Sequence, residues 1–275
     1  MSKDFLSKGN KRITLLGMSG VGKTHISKML NSDGNWYHYS GDYRIGSKYL
    51  KQPIIQNIKD RMRNDAWLSN LIDREIISID TKITYDNLNS ISVFLGKVGN
   101  PDQGGLSLKD FNIRQEMHRL AESKSMMDVG EFITKSNSEG FDHFINDAGG
   151  SLCELDDDEI YQYLANQTLI VYIRASDENI IDLEQRAKSD PKPLYFQSEF
   201  LINAVGKYLN ENGMTYVAEI CPNDFISWVF PRLLQHRIPK MERIAEKYGC
   251  IIESKDLYQC KQQSEVLELI NSSLN

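Results

Sequence analysis

Short apolar runs rich in β-branched and aromatic residues alternate along the chain with longer stretches in which apolar residues recur every three or four positions. That alternation predicts strands and helices in turn, an α/β protein. Arg12-Ile13-Thr14-Leu15-Leu16 reads as a first strand, and Ile26, Met29 and Leu30 mark the inner face of the helix after it. Trp36 to Ser40 has the aromatic preference of a second strand, and Phe141 to Asp147 reads as a third. Thr168 to Ile173 is apolar almost throughout, as a strand buried on both faces of a parallel sheet must be. Cys250 to Glu253 gives a last short strand.

Helical spacing accounts for most of the rest. Phe111 to Ser125 reads as one helix, and Ser176 caps another through Ile180, Leu183 and Ala187. Ser198 opens a helix with Leu201, Ala204, Val205, Tyr208 and Leu209 on one face. A further helix carries Met241, Ile244, Ala245 and Tyr248 inward and stops at Gly249; the closing one uses Val266, Leu267 and Ile270. Residues 45–110 give two helical pieces, around Ile55, Ile58 and Met62 and around Trp67, Leu68, Leu71 and Ile72. Ile76 to Tyr85 and Ile91 to Val98 then suit a β-hairpin before the loop Gly99 to Gly105. So long a stretch is too much for a structureless connection. The expected organisation is a single domain over 1–275, with an insertion at 45–110 that covers substrate or docks a partner, and a lid with a helical insertion at 186–230.

Between the first strand and its helix stands Gly17-Met18-Ser19-Gly20-Val21-Gly22-Lys23-Thr24, which satisfies G-x-x-x-x-G-K-[ST] in the context that gives the pattern meaning. The glycines let backbone N–H groups turn toward phosphate oxygens, and the helix N-terminus adds partial positive charge there. Gly17, Ser19, Gly20, Val21 and Gly22 form the cradle, Lys23 reaches the β- and γ-phosphates, and the Thr24 hydroxyl ligates magnesium. ATP and Mg²⁺ are therefore the expected ligands.

Ligands of open α/β sheets bind beyond the carboxyl ends of the strands. Asp42, two residues past the second strand, is placed to meet an acceptor, or else caps a turn. Asp147, ending the third strand, is either a magnesium-shell carboxylate or a turn residue before Ala148-Gly149-Gly150, whose glycines permit close approach to a ligand.

Composition narrows this further. A net charge of −6 disfavours nucleic acid held over a broad basic surface and suits a small ligand in a local pocket. Cys153, Cys221, Cys250 and Cys260 form no C-x-x-C pair, and the five histidines show no ligand spacing beside them. The first residues have no apolar leader core and no run is long enough to span a bilayer, so a cytoplasmic protein without a membrane partner is expected.

The order of these motifs resembles shikimate kinase and its relatives among small-molecule P-loop kinases. The family's Asp-x-Asp after the second strand resembles Ser40-Gly41-Asp42, and its glycine turn after the third resembles Asp147-Ala148-Gly149-Gly150. The lid, an arginine followed by Asp, a basic residue, Pro and Leu, resembles Arg186 to Tyr195 with Asp190, Lys192, Pro193 and Leu194 in register. The later Arg-x-Pro before a helix resembles Arg237-Ile238-Pro239. Ser40 replaces the family's metal-directed Asp and Lys192 a usual arginine. The resemblance implies a three-layer αβα P-loop fold with a five-stranded parallel sheet of order 2-3-1-4-5. It implies Lys23, Asp42 and Arg186 as catalytic residues, Asp42, Arg114, Gly149, Gly150 and Arg237 at the substrate, and Thr24 and Asp147 at the metal. The implied activity is phosphoryl transfer from ATP to a hydroxyl of a small, anionic metabolite. The chain also resembles a bacterial family of ATPases without assigned acceptor, which keeps open an ATPase or switch that binds a protein partner through its insertions. A nucleoside or nucleic-acid hydroxyl kinase is the third alternative.

Overall fold

The computed structural model describes residues 5–274. The chain runs β1 (Arg12–Leu16), α1 (Lys23–Leu30), β2 (Trp36–Ser40), the single turn α2 (Gly41–Arg44), α3 (Lys51–Met62), α4 (Ala66–Asp73) and α5 (Asn89–Leu95). Then come α6 (Leu108–Met127), α7 (Val129–Ser138), β3 (His143–Asp147), α8 (Asp158–Gln167), β4 (Leu169–Arg174) and α9 (Asp177–Ser189). The chain finishes with α10 (Ser198–Glu211), α11 (Pro222–Tyr248), β5 (Gly249–Glu253), α12 (Ser254–Leu257) and α13 (Gln263–Ser272).

The strands form one parallel sheet of order β2-β3-β1-β4-β5. This is the three-layer P-loop arrangement the resemblance implies. Ile13, Leu15, Phe144, Ile145, Ile170, Val171 and Ile173 are almost completely buried in it. Helices close both faces, with α8 and α11 against β4, and α1 and α13 against β3 and β5 respectively. The register fixes the site before any side chain is considered. Asp147 lies opposite Leu15 on one side and Ser40 on the other, so the glycine loop, the turn carrying Asp42 and the end of β3 open at one edge.

Two expectations fail. No hairpin occupies 76–98: Leu88, Ile91 and Leu95 fall at helical spacing, α5 forms there, and one isolated bridge between Val98 and Leu106 is the strand pairing present. Leu95 is 2% exposed, so packing chose the helix over the β-branched propensity of the stretch. Likewise α11 runs unbroken through Pro231 and Pro239, where sequence suggested an aromatic-rich stretch followed by a new helix. Each interior proline costs about 3 kcal/mol in an isolated helix. Burial of Val229, Phe230, Leu233, Leu234, Met241, Ile244 and Tyr248 along the same element offsets that cost. Gly249 ends α11 as expected, because it pairs directly with Ile170 and a side chain there would run into the Ile170 carbonyl.

Away from the sheet, Phe111, Phe196, Leu201, Val205, Phe225 and Val229 form a second core, joining α6, α10 and the first half of α11. A smaller cluster of Ile45, Leu50, Ile91 and Ala121 fixes α5 against α6. These two clusters stand the walls of the site above the sheet edge.

Candidate functional site

The glycine loop is built as the motif requires. Gly20 and Gly22 sit at φ +94° and +109°, conformations that side chains rarely tolerate, and Gly22 leads directly into α1. Val21 is fully buried and pins the loop to the core, while Ser19 and Gly20 are exposed. Gly17 passes so near Ile173 that a side chain would meet its carbonyl at 3.1 Å. Lys23 is 9% exposed and donates to the Gly17 and Met18 carbonyls at 2.7 and 3.2 Å. Burial pulls its pKa down, and the charges of Asp147 and then Asp42 pull it back up. Its ammonium therefore lies inside the loop with two carboxylates close by. Thr24 is exposed on the first turn of α1.

Asp42 is on α2, which Ser40 caps by accepting from the Tyr43 N–H at 3.2 Å. The serine that stands in place of a metal-directed aspartate thus shapes the turn. Asp42 is solvent-accessible through the recess it lines, with protein atoms crowded behind its carboxyl. This desolvation raises its carboxyl pKa, opposed by Lys23 and reinforced by Asp147. Asp147 has His38 Nε2 at 3.7 Å.

The Gly149-Gly150 turn brings these parts together. A Cβ on Gly150 would come 3.1 Å from the Ser19 N, and one on Gly149 would meet Glu122 Oε1 at 2.8 Å and Asp42 Oδ1 at 3.1 Å. Gly150 must be small for β3's end to lie against the loop, and Gly149 for the Glu122 and Asp42 carboxyls to approach the turn. Over the far side stands Arg186, on the last turns of α9; a Cβ on Gly20 would meet both of its terminal nitrogens at 3.0 Å.

The recess holds about 350 Å³ and is lined by Ser19, Asp42, His118, Gly150, Arg186 and Arg237 among its polar groups. Leu88, which precedes α5, and Ile91 and Leu95 within it form one apolar wall, and Ile226 and Phe230 of α11 another. Another hollow, of about 510 Å³, lies elsewhere and contains none of the loop. The smaller one matters here because Met18 and Ser19 of the glycine loop line it.

Arg237 is 4% exposed at the base of the recess. It donates to Glu154 Oε1 at 3.0 Å, to the Gly150 carbonyl at 3.3 Å and to the Tyr195 carbonyl at 2.7 Å. Three of its five N–H groups are thereby committed to scaffold. Glu154 also accepts from the Gln197 N–H, and Gln115 brackets the same strap by accepting from Phe196 N–H and donating to the Leu194 carbonyl. The lid segment is consequently tied down over Leu194 to Gln197.

Arg114 does not join this site. Its guanidinium donates to the Phe94 carbonyl at 2.8 Å and to Asn57 Oδ1 at 3.1 Å, in the other hollow. The reason is helical phase: Phe111, Gln115, His118, Glu122 and Ser125 form the buried stripe of α6. Arg114, one residue before Gln115, points roughly 100° away.

The stripe supplies two groups that the sequence reading did not select. Glu122 is fully buried, accepts from the Ser151 hydroxyl at 2.7 Å and has His118 Nδ1 at 3.8 Å. Burial, with Asp42's charge adding and the Ser151 bond opposing, lifts its pKa to about 8. Burial and then Arg237 hold His118 down to about 4. Both are neutral near pH 7. Glu122 Oε1 and His118 Nδ1 have no hydrogen-bond partner among the described residues. Polar residues at 4-3-4-3 spacing, in register with Phe111, are the signal that would have found them.

A nucleotide and its metal fit these residues. The loop offers a buried ammonium and a neighbouring backbone N–H that any side chain at Gly150 would crowd. Magnesium needs only one or two protein oxygens beside phosphate, and the exposed Thr24 hydroxyl at the start of α1 and the Asp147 carboxylate at the end of β3 are oxygen donors of that kind.

No family model matches the chain, and no curated protein does. Among solved structures it is similar to the shikimate kinase of Bacteroides thetaiotaomicron, at 15% identity and a TM-score of 0.40 over 96% of this chain and 94% of that one. It is also similar to the shikimate kinase of Aquifex aeolicus, at 16% identity and a TM-score of 0.38 over 96% and 95%.

Proposed function

We propose that the protein is a P-loop kinase, transferring the γ-phosphoryl group of ATP to a hydroxyl of a small molecule held in the recess. The observation that supports this reading is that Met18 and Ser19 of the glycine loop line one walled recess together with Asp42 and Arg186, with the charges of Lys23 and Asp147 acting on Asp42.

Phosphoryl transfer asks a protein mainly to position groups and offset charge. Bound MgATP would supply the phosphoryl group and the divalent charge, with Thr24 and Asp147 holding the metal. Lys23 would exchange its two carbonyl partners for phosphate oxygens. Asp42 would orient the acceptor hydroxyl and take its proton on a carboxylate oxygen, and the raised pKa makes it a better base than a solvated aspartate. Arg186 would offset charge on the migrating group from the side opposite Asp42. Arg237 keeps two N–H donors and would meet an anionic edge of the acceptor, while its other three hold the floor in shape. The apolar walls from α5 and α11 exclude water that would otherwise take the phosphoryl group. In this reading residues 45–110 and 186–230 serve as the walls and lid of the acceptor chamber. The protein would then be a soluble enzyme of the cytoplasm; no helix among the described residues is long and apolar enough to cross a membrane.

Asp42→Asn tests the reading, because it keeps the turn and removes the base. Transfer to the acceptor should fall by roughly 10²- to 10⁴-fold while slow hydrolysis of ATP to phosphate persists. Equal loss or equal retention of both activities would instead fit a nucleotide switch with no acceptor.

A further inference from the structure

We propose that the hollow between α3, α5 and α6 is a second binding site, which takes a small organic anion, a carboxylate or phosphate monoester on an apolar body, through Arg61, Lys82 and Arg114. The three cations line one cavity of about 510 Å³, and no carboxylate among the described residues lines it with them. In a chain of net charge −6 that is an unusual concentration of one sign.

The cost of this arrangement falls on Arg114, since Arg61 and Lys82 are exposed to solvent. Arg114 is half-buried, with burial first and the charge of Arg61 second depressing its pKa. A guanidinium does not escape such repulsion by losing its proton. Asp110, whose charge partly compensates, accepts from the Ser107 hydroxyl at 2.7 Å at the start of α6. Neither Arg61 nor Lys82 has an ion-pair partner among the described residues. Arg114 spends two of its five N–H groups on Phe94 and Asn57, and its guanidinium lies 5.2 Å from the Phe94 ring centre. It is therefore held rigidly with donors to spare, the state of a residue built to receive a carboxylate or phosphate.

The rest of the wall is apolar and partly open. Ile58 and Val93 flank the cavity at 38% and 66% exposure, and Ile54, Ile83 and Leu106 line its interior. A fully hydrated inorganic ion would leave that surface wet, whereas an anion with a hydrocarbon body would cover it. Ile91 faces both this hollow and the phosphoryl-transfer recess, so α5 is the partition between them. No residue of the glycine loop belongs to the hollow, and the proposal stands or falls separately from the kinase reading.

The test is calorimetric titration of the full chain, saturated with ATP so that the loop is occupied, with octanoate, octyl phosphate and uncharged 1-octanol. At least one of the two anions should bind with a Kd below about 1 mM and about tenfold or more tighter than octanol, as one charge-assisted contact implies. Whichever binds tighter identifies the head group. Arg61→Glu and Lys82→Glu lie on exposed side chains and should each weaken that binding about tenfold or more, with the unfolding midpoint and ATP affinity unchanged. Anions that bind no tighter than octanol, or that ignore both charge reversals, would overturn the proposal.

Discussion

Glu122→Gln exposes a proton that folding traps. Glu122 is fully buried and its carboxyl is lifted to about 8, against the ordinary 4.5 it recovers on unfolding. Between those values the folded chain keeps a proton that the unfolded chain has released, so stability falls as pH rises, by about 1.4 kcal/mol per pH unit. From about pH 5.5 to about pH 7.5 the loss is about 2.7 kcal/mol. His118 acts in the opposite sense. Held down to about 4 from 6.5, it refuses a proton that the unfolded chain accepts, so its contribution grows with pH up to about 6.5. The two partly cancel in the wild type, and a single stability curve would hide both. Subtraction separates them, because Glu122 is already neutral in the folded state over this range and neutral glutamine leaves the charge around His118 unchanged. Urea unfolding of wild type and variant, followed by circular dichroism and fluorescence at both pH values, should show the variant gaining 2–3 kcal/mol on the wild type at the higher pH, in approximate terms. Parallel curves, differing in their offset by less than about 0.5 kcal/mol, would mean that Glu122 is ionised in the fold and would refute the reasoning.

Three further outcomes follow from the same geometry. Arg237→Ala strands buried Glu154 and should cost about 3–5 kcal/mol in urea unfolding; a loss below about 1 kcal/mol would show that the pair is not structural. Gly150→Ala pushes a methyl group toward the Ser19 N–H, so affinity for a fluorescent ATP analogue should drop about tenfold or more while the circular dichroism spectrum is kept. Arg186→Ala should lower kcat by about 10³-fold with a much smaller change in ATP affinity, and a change confined to ATP affinity would remove Arg186 from the transition state.

The sheet and the turn of the glycine loop are legible in the sequence because each rests on local physics. The apolar run at Leu169 to Ile173 is affordable only in a doubly covered strand, and the glycines of the loop leave few other structures open. Asp42 is legible because strand ends of a parallel sheet share one edge. What the sequence conceals depends on tertiary packing. The spacing of Leu88, Ile91 and Leu95 competes with β-branched propensity across 76–98, and only the neighbouring Ala121 and Ile45 decide it. The prolines of α11 argue for a break that its buried face overrides. Arg114 sits one residue off the inner stripe of α6, a phase error of one position that moves it into another cavity. His118 and Glu122 resemble surface residues until the stripe is read from Phe111.

Whether the chamber beside the glycine loop receives a phosphoryl acceptor is decided by tracing where the γ-phosphate of ATP goes. The purified protein is incubated with ATP labelled at the γ-phosphorus and a low-mass metabolite extract, and the fate of the label is followed for wild type and Asp42→Asn. Label should appear in a small organic phosphate with the wild type and fall by roughly 10²-fold or more in the variant, with release of inorganic phosphate little altered. Label recovered only as inorganic phosphate, at the same rate from both proteins, would contradict an acceptor role for the chamber.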